Sequence, residues 1–401
     1  MCRSGVRTVA VLVALLAAVA MPGSPEPQTE APPDDQAPPA AELPSGEAYK
    51  IGALFALSGP AMSLGQPESD TARMLQDQIN AAGGVAGHPI QVIIKDTQSD
   101  EVEAFLAARE LVETENVLAI VGPTRSGTTL GIINYIEQSQ VPLISCAGAR
   151  VIADPVREWV FQVVPSDRDG VHRVCRYLAD HGLIRIAVMA GNGAYGEAGL
   201  DEIEAQAPDA GITIVSRERF GPFDRDMTTQ LRRIAATDAQ AIVFWGLATA
   251  PAIIARQIAQ LHISLPLVGS WASGTPSFIE QAGNAGNGVT MVGVRILIAE
   301  QLPDTDLQKP LLTQFITSFQ ERYDARPDRF AAHAWDALQI VCQALRTSGP
   351  DRAALREVIE QTRGFVGMDG VFKYSPDNHN GLTPDDLVMV RVEKGHWRLV
   401  E

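Results

Sequence analysis

The residues that come closest to a chemical motif form a glycine-rich turn, G-N-G-A-Y-G, at positions 191–196. The turn fits the G-x-G-x-x-G pattern of dinucleotide-binding loops, and Glu218 stands roughly 20 residues further on, where such loops place a ribose-binding acid. However, the turn opens the second half of the chain, and the bulky Tyr195 lies where backbone would have to approach a pyrophosphate. Any tight turn between a strand and a helix favours glycine, so the pattern predicts a turn rather than a dehydrogenase.

Other catalytic patterns are incomplete. Residues 122–129, G-P-T-R-S-G-T-T, lack the lysine of a phosphate-binding loop. The seven histidines never form H-E-x-x-H, and the sequence contains neither C-x-x-C nor G-x-S-x-G. Cys146, Cys175 and Cys342 allow at most one internal disulfide, and the sequence does not choose a pair. We therefore expect no metal, no cofactor and no enzymatic activity.

The charge balance excludes one large class of partner. Lys and Arg number 32 against 48 Asp and Glu, which gives the 401-residue chain a net charge of −16. A chain this acidic has no electrostatic footprint for phosphates, so we expect no nucleic acid partner. The length fits two domains of ordinary size, and 46% hydrophobic residues suffice for their cores.

The first 48 residues have the composition of an export signal and a spacer. Arg3 and Arg7 precede a small apolar run at 9–20 that ends in A-V-A, which is typical of a secretory signal peptide over residues 1–20. Residues 21–48 are rich in proline and predict an extended, disordered linker. We expect an exported, periplasmic protein, although an uncleaved N-terminal anchor remains an alternative.

From Tyr49 onward, short apolar strands alternate with helical patterns, and the order occurs twice. Alternation of this kind predicts an α/β fold, with parallel sheets covered by helices on both faces. The two rounds are alike in sequence, as residues 119–122 compared with 241–246 show. Long helices over 307–323 and 330–347 and a terminal hairpin over 387–392 and 397–400 do not continue the alternation and are expected to complete the two lobes.

These strand and turn sequences resemble the periplasmic solute-binding proteins of branched-chain-amino-acid-type ABC transporters. The most specific stretch is I-N-A-A-G-G-V-A-G at 79–87, and further likeness lies at 50–65, 119–123, 141–145 and 365–372. The resemblance implies a type I periplasmic binding fold: two doubly wound parallel-sheet lobes joined by three hinge crossings. It implies lobe 1 at 49–167 plus 296–370, lobe 2 at 168–295 plus 371–401, and crossings near 166–169, 293–299 and 368–374.

The same resemblance implies a ligand class and a transport partner. A monomer would trap a small solute between its lobes by hinge closure and deliver it to an inner-membrane ABC permease. The alternative is a ligand-sensing receptor domain of the same fold, held at the membrane by an uncleaved anchor.

The family's pocket can be placed on this sequence position by position. The carboxylate-binding hydroxyl falls on Ser126, and Tyr195 matches the aromatic residue that covers the ligand. The remaining expected ligand-binding residues are Leu64, Thr124, Arg125, Ala147, Gly148, Ala149, Ala248, Thr249, Trp271 and Phe330.

The sequence departs from that pattern at Trp271. Amino-acid-binding members have an acid there that pairs with the solute's α-ammonium, and a buried cation without such a partner is costly. No Asp or Glu occurs between Asp238 and Glu280, so an α-amino acid is disfavoured. Arg125 could hold an anion beside a helix N-terminus. We therefore expect a carboxylate or amide on an apolar or aromatic body, within the wider class of amino-acid-like solutes.

Overall fold

The structure, a computed structural model, describes residues 45–247 and 249–400. The predicted signal peptide, most of the predicted linker and Ala248 lie outside the described residues. Residues 45–48, at the end of that linker, contact the first lobe: the backbone N–H groups of Ser45 and Gly46 donate to the carbonyl of Gly87. Across the described ranges, no helix combines the length and the apolar character that crossing a membrane requires.

Strands and helices alternate along the chain as predicted. The strands are β1 (Tyr49–Phe55), β2 (Ile90–Asp96), β3 (Ala119–Val121), β4 (Leu143–Ser145), β5 (Val160–Gln162), β6 (Arg185–Gly191), β7 (Thr213–Phe220), β8 (Ala241–Trp245), β9 (Leu267–Gly269), β10 (Thr290–Gly293), β11 (Arg363–Val366), β12 (Val371–Lys373), β13 (Val388–Glu393) and β14 (His396–Leu399). The helices are α1 (Met62–Ala81), α2 (Glu101–Glu113), α3 (Ser126–Ser139), α4 (Asp167–Asp180), α5 (Ala194–Gln206), α6 (Thr228–Ala235), α7 (Ala250–Gln260), α8 (Pro276–Ala282), α9 (Lys309–Tyr323), α10 (Arg329–Ser348) and α11 (Arg352–Glu360). Short 3₁₀ turns lie at Arg150–Ile152, Trp271–Ser273, Gly283–Gly286, Arg295–Gln301 and Pro384–Asp386.

The two main sheets repeat one topology. The first sheet has the order β2-β1-β3-β4-β5, with every pair parallel. The second contains β7-β6-β8-β9-β10, again parallel, and adds β13 and β14 in antiparallel fashion beyond β10. Corresponding strands hold corresponding places, which confirms the predicted repeat of two doubly wound α/β lobes. Both lobes belong to one compact unit of the chain.

The strand sequences are those expected for sheets that are covered by helices on both faces. The central strands β3, β4 and β8 are buried along their whole length. Parallel strands covered by helices on both faces read as continuous apolar runs because neither face meets water. The helices bury one side each: α10 packs its alanine- and leucine-rich face against α1 and β3.

Three segments carry the chain between the sheets. The first joins β5 to α4, which packs on β10 and β13 of the second sheet. The second runs from β10 to α9, and the third lies at about 383–387, later than the expected 368–374, because β12 pairs with β11 and the Tyr374 hydroxyl donates to the carbonyl of Gln162 (3.1 Å). The lobe boundaries drawn from the sequence stay predictions.

The helical spacing of Ala72, Leu75 and Ile79 predicts a helix over residues 69–82. Helix α1 begins seven residues earlier, at Met62. Gly65 and Pro67 read as helix breakers in the sequence, yet both lie inside the helix. Gly65 is needed there because a Cβ at this position would stand 2.3 Å from the carbonyl oxygen of Ala56, just beyond the end of β1. Close packing between the helix and the strand end therefore overrides local propensity.

Gly122, which ends β3 and aims the following loop at the site described below, gives a test of this packing. Its φ is +86°, and a Cβ would lie 2.3 Å from the carbonyl oxygen of Leu54. Gly87 has a similar φ of +82° with open space around it, so it serves as a matched control. We expect Gly87→Ala to lower the free energy of unfolding by about 1–2 kcal/mol through backbone strain, and Gly122→Ala by about 1–3 kcal/mol more because of the clash. Urea denaturation measures both, and equal losses would contradict the packing.

Candidate functional site

Two adjoining cavities lie where the carboxyl ends of the two sheets face each other. The outer cavity covers about 640 Å³, including space open to solvent, and is lined by loops that follow β1, β3, β6, β7 and β8. The inner cavity covers about 260 Å³ on the same basis and is lined by loops that follow β3, β4 and β9 and by the start of α10. Arg125, Ser126, Tyr195 and Leu247 line both cavities. Ligands of open α/β sheets bind at this edge, beside the point where strand order reverses.

The loop after β3 supplies the polar wall of the first lobe. Thr124 lines the inner cavity, and its hydroxyl accepts from the Ala56 N–H (3.0 Å) and donates to the buried carboxyl of Glu68. Ser126 is the first residue of α3, and its Oγ accepts from the Ala149 N–H (3.2 Å). The Ser126 hydroxyl hydrogen remains available to a ligand. Arg125 precedes the helix as its N-cap.

Arg125 lines both cavities, and its side chain is also held by a hydrogen bond to the protein. Its Nη1 donates to the carbonyl of Ser99, and the side chain is half-buried. Its guanidinium therefore stands at the mouth of the site, with one donor already used by the protein. This position is compatible with holding an anion, as the sequence predicts, but it is not a fully dehydrated one.

The segment after β4 contributes backbone to the inner cavity. Ala147 and Gly148 line it, whereas Ala149 does not, and the Ala149 N–H donates to Oγ of Ser126. The carbonyl of Gly148 accepts from the Asp167 N–H at the start of α4 (2.9 Å). This bond ties the cavity wall to the first crossing segment.

Aromatic rings of the second lobe fill the centre of the site. Tyr195 stacks on Trp245 (ring centroids 6.1 Å apart), and Trp271 meets both edge-on, at 6.3 Å and 5.5 Å. The Trp271 indole is wedged against glycines: a Cβ on Gly170 would stand 1.7 Å from it, and one on Gly148 3.1 Å. Trp271 therefore bridges the lobes.

The Tyr195 hydroxyl is buried beside the Ser270 hydroxyl, and neither group forms a well-aligned hydrogen bond with a described residue. Burial raises the pKa of this phenol well above its ordinary value, so it stays a neutral donor at physiological pH. A buried hydroxyl without a partner costs free energy unless a ligand or water satisfies it.

The other residues expected in the pocket divide into two groups. Phe330 lines the inner cavity, while Leu64 lies behind it in a cluster with Ala56 and Ala61. Thr249 caps α7 outside the lining, and its neighbour Ala250 lines the outer cavity instead.

Arg329, the first residue of α10, is the charged lining residue that the sequence analysis missed. Among the described lining residues, Arg125 and Arg329 carry charge, and none is Asp or Glu. One indication is visible in the sequence: Asp328 is a typical N-cap, and a cation directly after it faces the positive end of the helix dipole.

The glycine-rich turn at 191–196 is the β6–α5 turn, as predicted, and it lines the outer cavity. Gly196 is required because a Cβ there would stand 2.1 Å from the carbonyl oxygen of Gly191. Glu218 lies within β7 and pairs with Arg233 at 3.4 Å, which removes it from the role of a ribose ligand. Cys146, Cys175 and Cys342 are buried free thiols.

Comparison with known proteins agrees with this architecture. Residues 48–396 match the family of periplasmic binding proteins. The chain is 24% identical to Leu/Ile/Val-binding protein homolog 7 of Brucella abortus, over 85% of this chain and 88% of that protein. It is also 24% identical to a leucine-, isoleucine-, valine-, threonine- and alanine-binding protein of Pseudomonas aeruginosa, over 81% and 87%.

Solved structures show the same fold. An extracellular ligand-binding receptor from Rhodopseudomonas palustris superposes with a TM-score of 0.83 at 25% identity, covering 88% of this chain and 99% of that one. A branched-chain amino acid transporter substrate-binding protein from Streptococcus pneumoniae, solved with isoleucine, gives 0.78 at 24% identity, covering 88% and 98%. The family has an extracytoplasmic location and its members bind solutes without catalysis. This chain belongs to the periplasmic binding protein family.

Proposed function

We propose that this protein is the periplasmic solute-binding subunit of an ABC importer, which traps a small solute between its lobes and delivers it to a membrane permease. The observation that carries the proposal is the inner cavity, whose walls come from both lobes at the carboxyl ends of their sheets. A solute held there contacts both halves, so binding favours the closed arrangement. We further propose that the protein acts as a monomer with its signal peptide removed.

The walls define the chemistry of the solute. Tyr195, Trp271 and Phe330 offer aromatic surface, and Ser126 offers a hydroxyl. Pockets of this type bury an apolar body and fix its orientation through a few polar groups. The solute that fits is a carboxylate, amide or amino-acid-like molecule with an apolar or aromatic body.

Ion pairs hold the two lobes together beside the cavities. Arg150 of the first lobe pairs with Glu202 on α5 of the second. Asp154 of the first lobe binds Arg168 at the start of α4. These pairs stabilise the closed arrangement without lining either cavity, so they link solute affinity to the equilibrium between open and closed states.

A thermal-shift screen tests whether the protein binds solutes of this class. We propose leucine, benzoate, butanoate, 4-methylpentanoate and benzamide as the probe set. A compound at about 100 times its Kd stabilises the native state by about 2.7 kcal/mol, which gives a clear rise in melting temperature. At least one probe should raise it. A set without any shift, extended to further acids and amides, would contradict the proposal.

The interlobe pair gives a second prediction. Glu202→Gln should weaken binding of the most effective probe by about 2- to 10-fold, because the closed state loses an ion pair while every solute contact is kept. Glu204→Gln is the matched control, since Glu204 lies on the same helix but pairs with Arg217 inside the second lobe. Isothermal titration calorimetry measures both affinities. Equal affinities of the two variants would show that this pair does not stabilise closure.

The aromatic wedge gives a third prediction. Trp271→Phe should reduce affinity by about tenfold, because the smaller ring leaves part of the cavity wall missing. Trp335→Phe is the control: Trp335 packs on Phe365 (6.2 Å between ring centroids) and lines neither cavity. Titration of the same probe compares the two. An unchanged affinity in Trp271→Phe would remove Trp271 from the binding site.

A further inference from the structure

Arg329 is a buried cation on the wall of the inner cavity. Only 1% of the residue is exposed, and its side chain lines the cavity together with Trp271 and Phe330. Burial lowers the pKa of the guanidinium to about 10, so it stays charged at physiological pH. A charge in such a place is costly unless its donors are paired.

Most of the donors of this guanidinium are unpaired. Nη2 lies 3.2 Å from Nε2 of His333, one turn further along α10. Nε and Nη1 have no hydrogen-bond partner among the described residues. Burial and the nearby Arg329 lower the pKa of His333 well below its ordinary value, so the neutral ring accepts one hydrogen bond and neutralises nothing.

The nearby acids do not take up the free donors. Oδ1 of Asp328 accepts from the N–H groups of Phe330 and Ala331 at the helix start, and Asp328 forms no hydrogen bond with the Arg329 guanidinium. Burial raises the pKa of Glu68 well above its ordinary value, and burial together with the Asp336 carboxylate does the same for Asp369. Oδ2 of Asp369 lies 3.2 Å from Nε2 of His333, but neither Asp369 oxygen forms a hydrogen bond with a described residue. Asp369, Asp328 and Glu68 each act to raise the pKa of Arg329, yet none of them accepts a hydrogen bond from its Nε or Nη1.

Two aromatic rings lie close to the guanidinium, so a hydrogen-bond acceptor can reach only its N–H edge. Its carbon atom lies 5.6 Å from the ring centre of Trp271 and 5.0 Å from that of Phe330. Such aromatic contacts stabilise a cation, but they leave its N–H donors without acceptors. The start of α10 adds a further unfavourable term, because a helix N-terminus attracts anions and repels cations. An anionic ligand would remove both penalties.

We propose that Arg329 is the anion receptor of the site, and that the solute is a carboxylate with an aromatic or apolar body and no free ammonium group. This inference rests on the proposed function and narrows its solute class. The carboxylate accepts from the free Arg329 donors, while the body lies against Trp271 and Tyr195 and extends toward the outer cavity. An α-ammonium would be buried without a carboxylate partner, since no acid lines either cavity among the described residues.

Matched pairs of probes test the ligand class. Leucine and 4-methylpentanoate share a carbon skeleton and differ by the ammonium group, and benzoate and benzamide differ by the charge. Isothermal titration of the full-length mature protein should show each acid binding about 10- to 100-fold more tightly than its partner, as expected for a charge-assisted hydrogen bond. Leucine or benzamide binding as tightly as the matching acid would overturn the inference, and so would failure of both acids to bind. The proposed function fails only if no compound of the wider screen binds.

Substitutions test the role of Arg329 itself. Arg329→Gln should weaken binding of the acids by about 10- to 100-fold and abolish the preference for benzoate over benzamide. Arg352→Gln is the control, because Arg352 donates to the carbonyl of Val117 at the opposite, amino end of β3. Arg329→Met distinguishes a binding role from a structural role. If Arg329 serves binding, the melting temperature of the ligand-free variant should equal or exceed the wild-type value, because a buried unpaired charge is removed. A fall in that temperature, or acid affinity unchanged in Arg329→Gln, would assign Arg329 to the core.

Discussion

A parallel strand presents the start of the next loop, and often of the next helix, at its carboxyl end, and in this protein two such sheets turn that edge toward each other. This constraint places most walls of the two cavities, and the start of α10 completes the inner one. The loops after β3 and β4 belong to one lobe and those after β6, β8 and β9 to the other. Neither lobe encloses a cavity alone, so a bound solute is held only when both are present.

Within that frame, the site combines a large apolar surface with very few polar groups. The Trp271 indole occupies space that Gly148 and Gly170 leave free. Through Gly148 it connects the second lobe, to which it belongs, with the first lobe. Beside it, Arg329 and Tyr195 hold buried donors that no described residue satisfies. Protein interiors seldom leave such groups unpaired. Their meeting in one cavity is therefore better explained by recognition than by folding stability.

The sequence was sufficient for the architecture because the relevant patterns are local. Apolar runs such as 119–121 and 241–245 predict buried parallel strands, and the turn at 191–196 predicts the entry to α5. Elements with weak patterns were missed, among them β5, which has only three residues. Gly65 and Pro67 hid the true start of α1, and the reason for Gly65, its close contact with the backbone of Ala56, is visible only in the folded chain.

The site was only partly visible at the sequence level for a related reason. Tyr195, Trp271 and Phe330 are placed at the cavities, and stay predictions as ligand contacts. Arg329 escaped notice because nothing in D-R-F shows that the side chain is buried without a partner. That property depends on the packing of Trp271 against the start of α10, which joins residues far apart in the chain.

The most direct measurement is a crystal structure of the mature protein grown with 4-methylpentanoate or benzoate. The account predicts electron density for one acid in the inner cavity, in contact with residues of both lobes, with its carboxylate within hydrogen-bonding distance of the Arg329 guanidinium. Density at another place on the surface, or a ligand in the cleft whose carboxylate points away from Arg329, would contradict it.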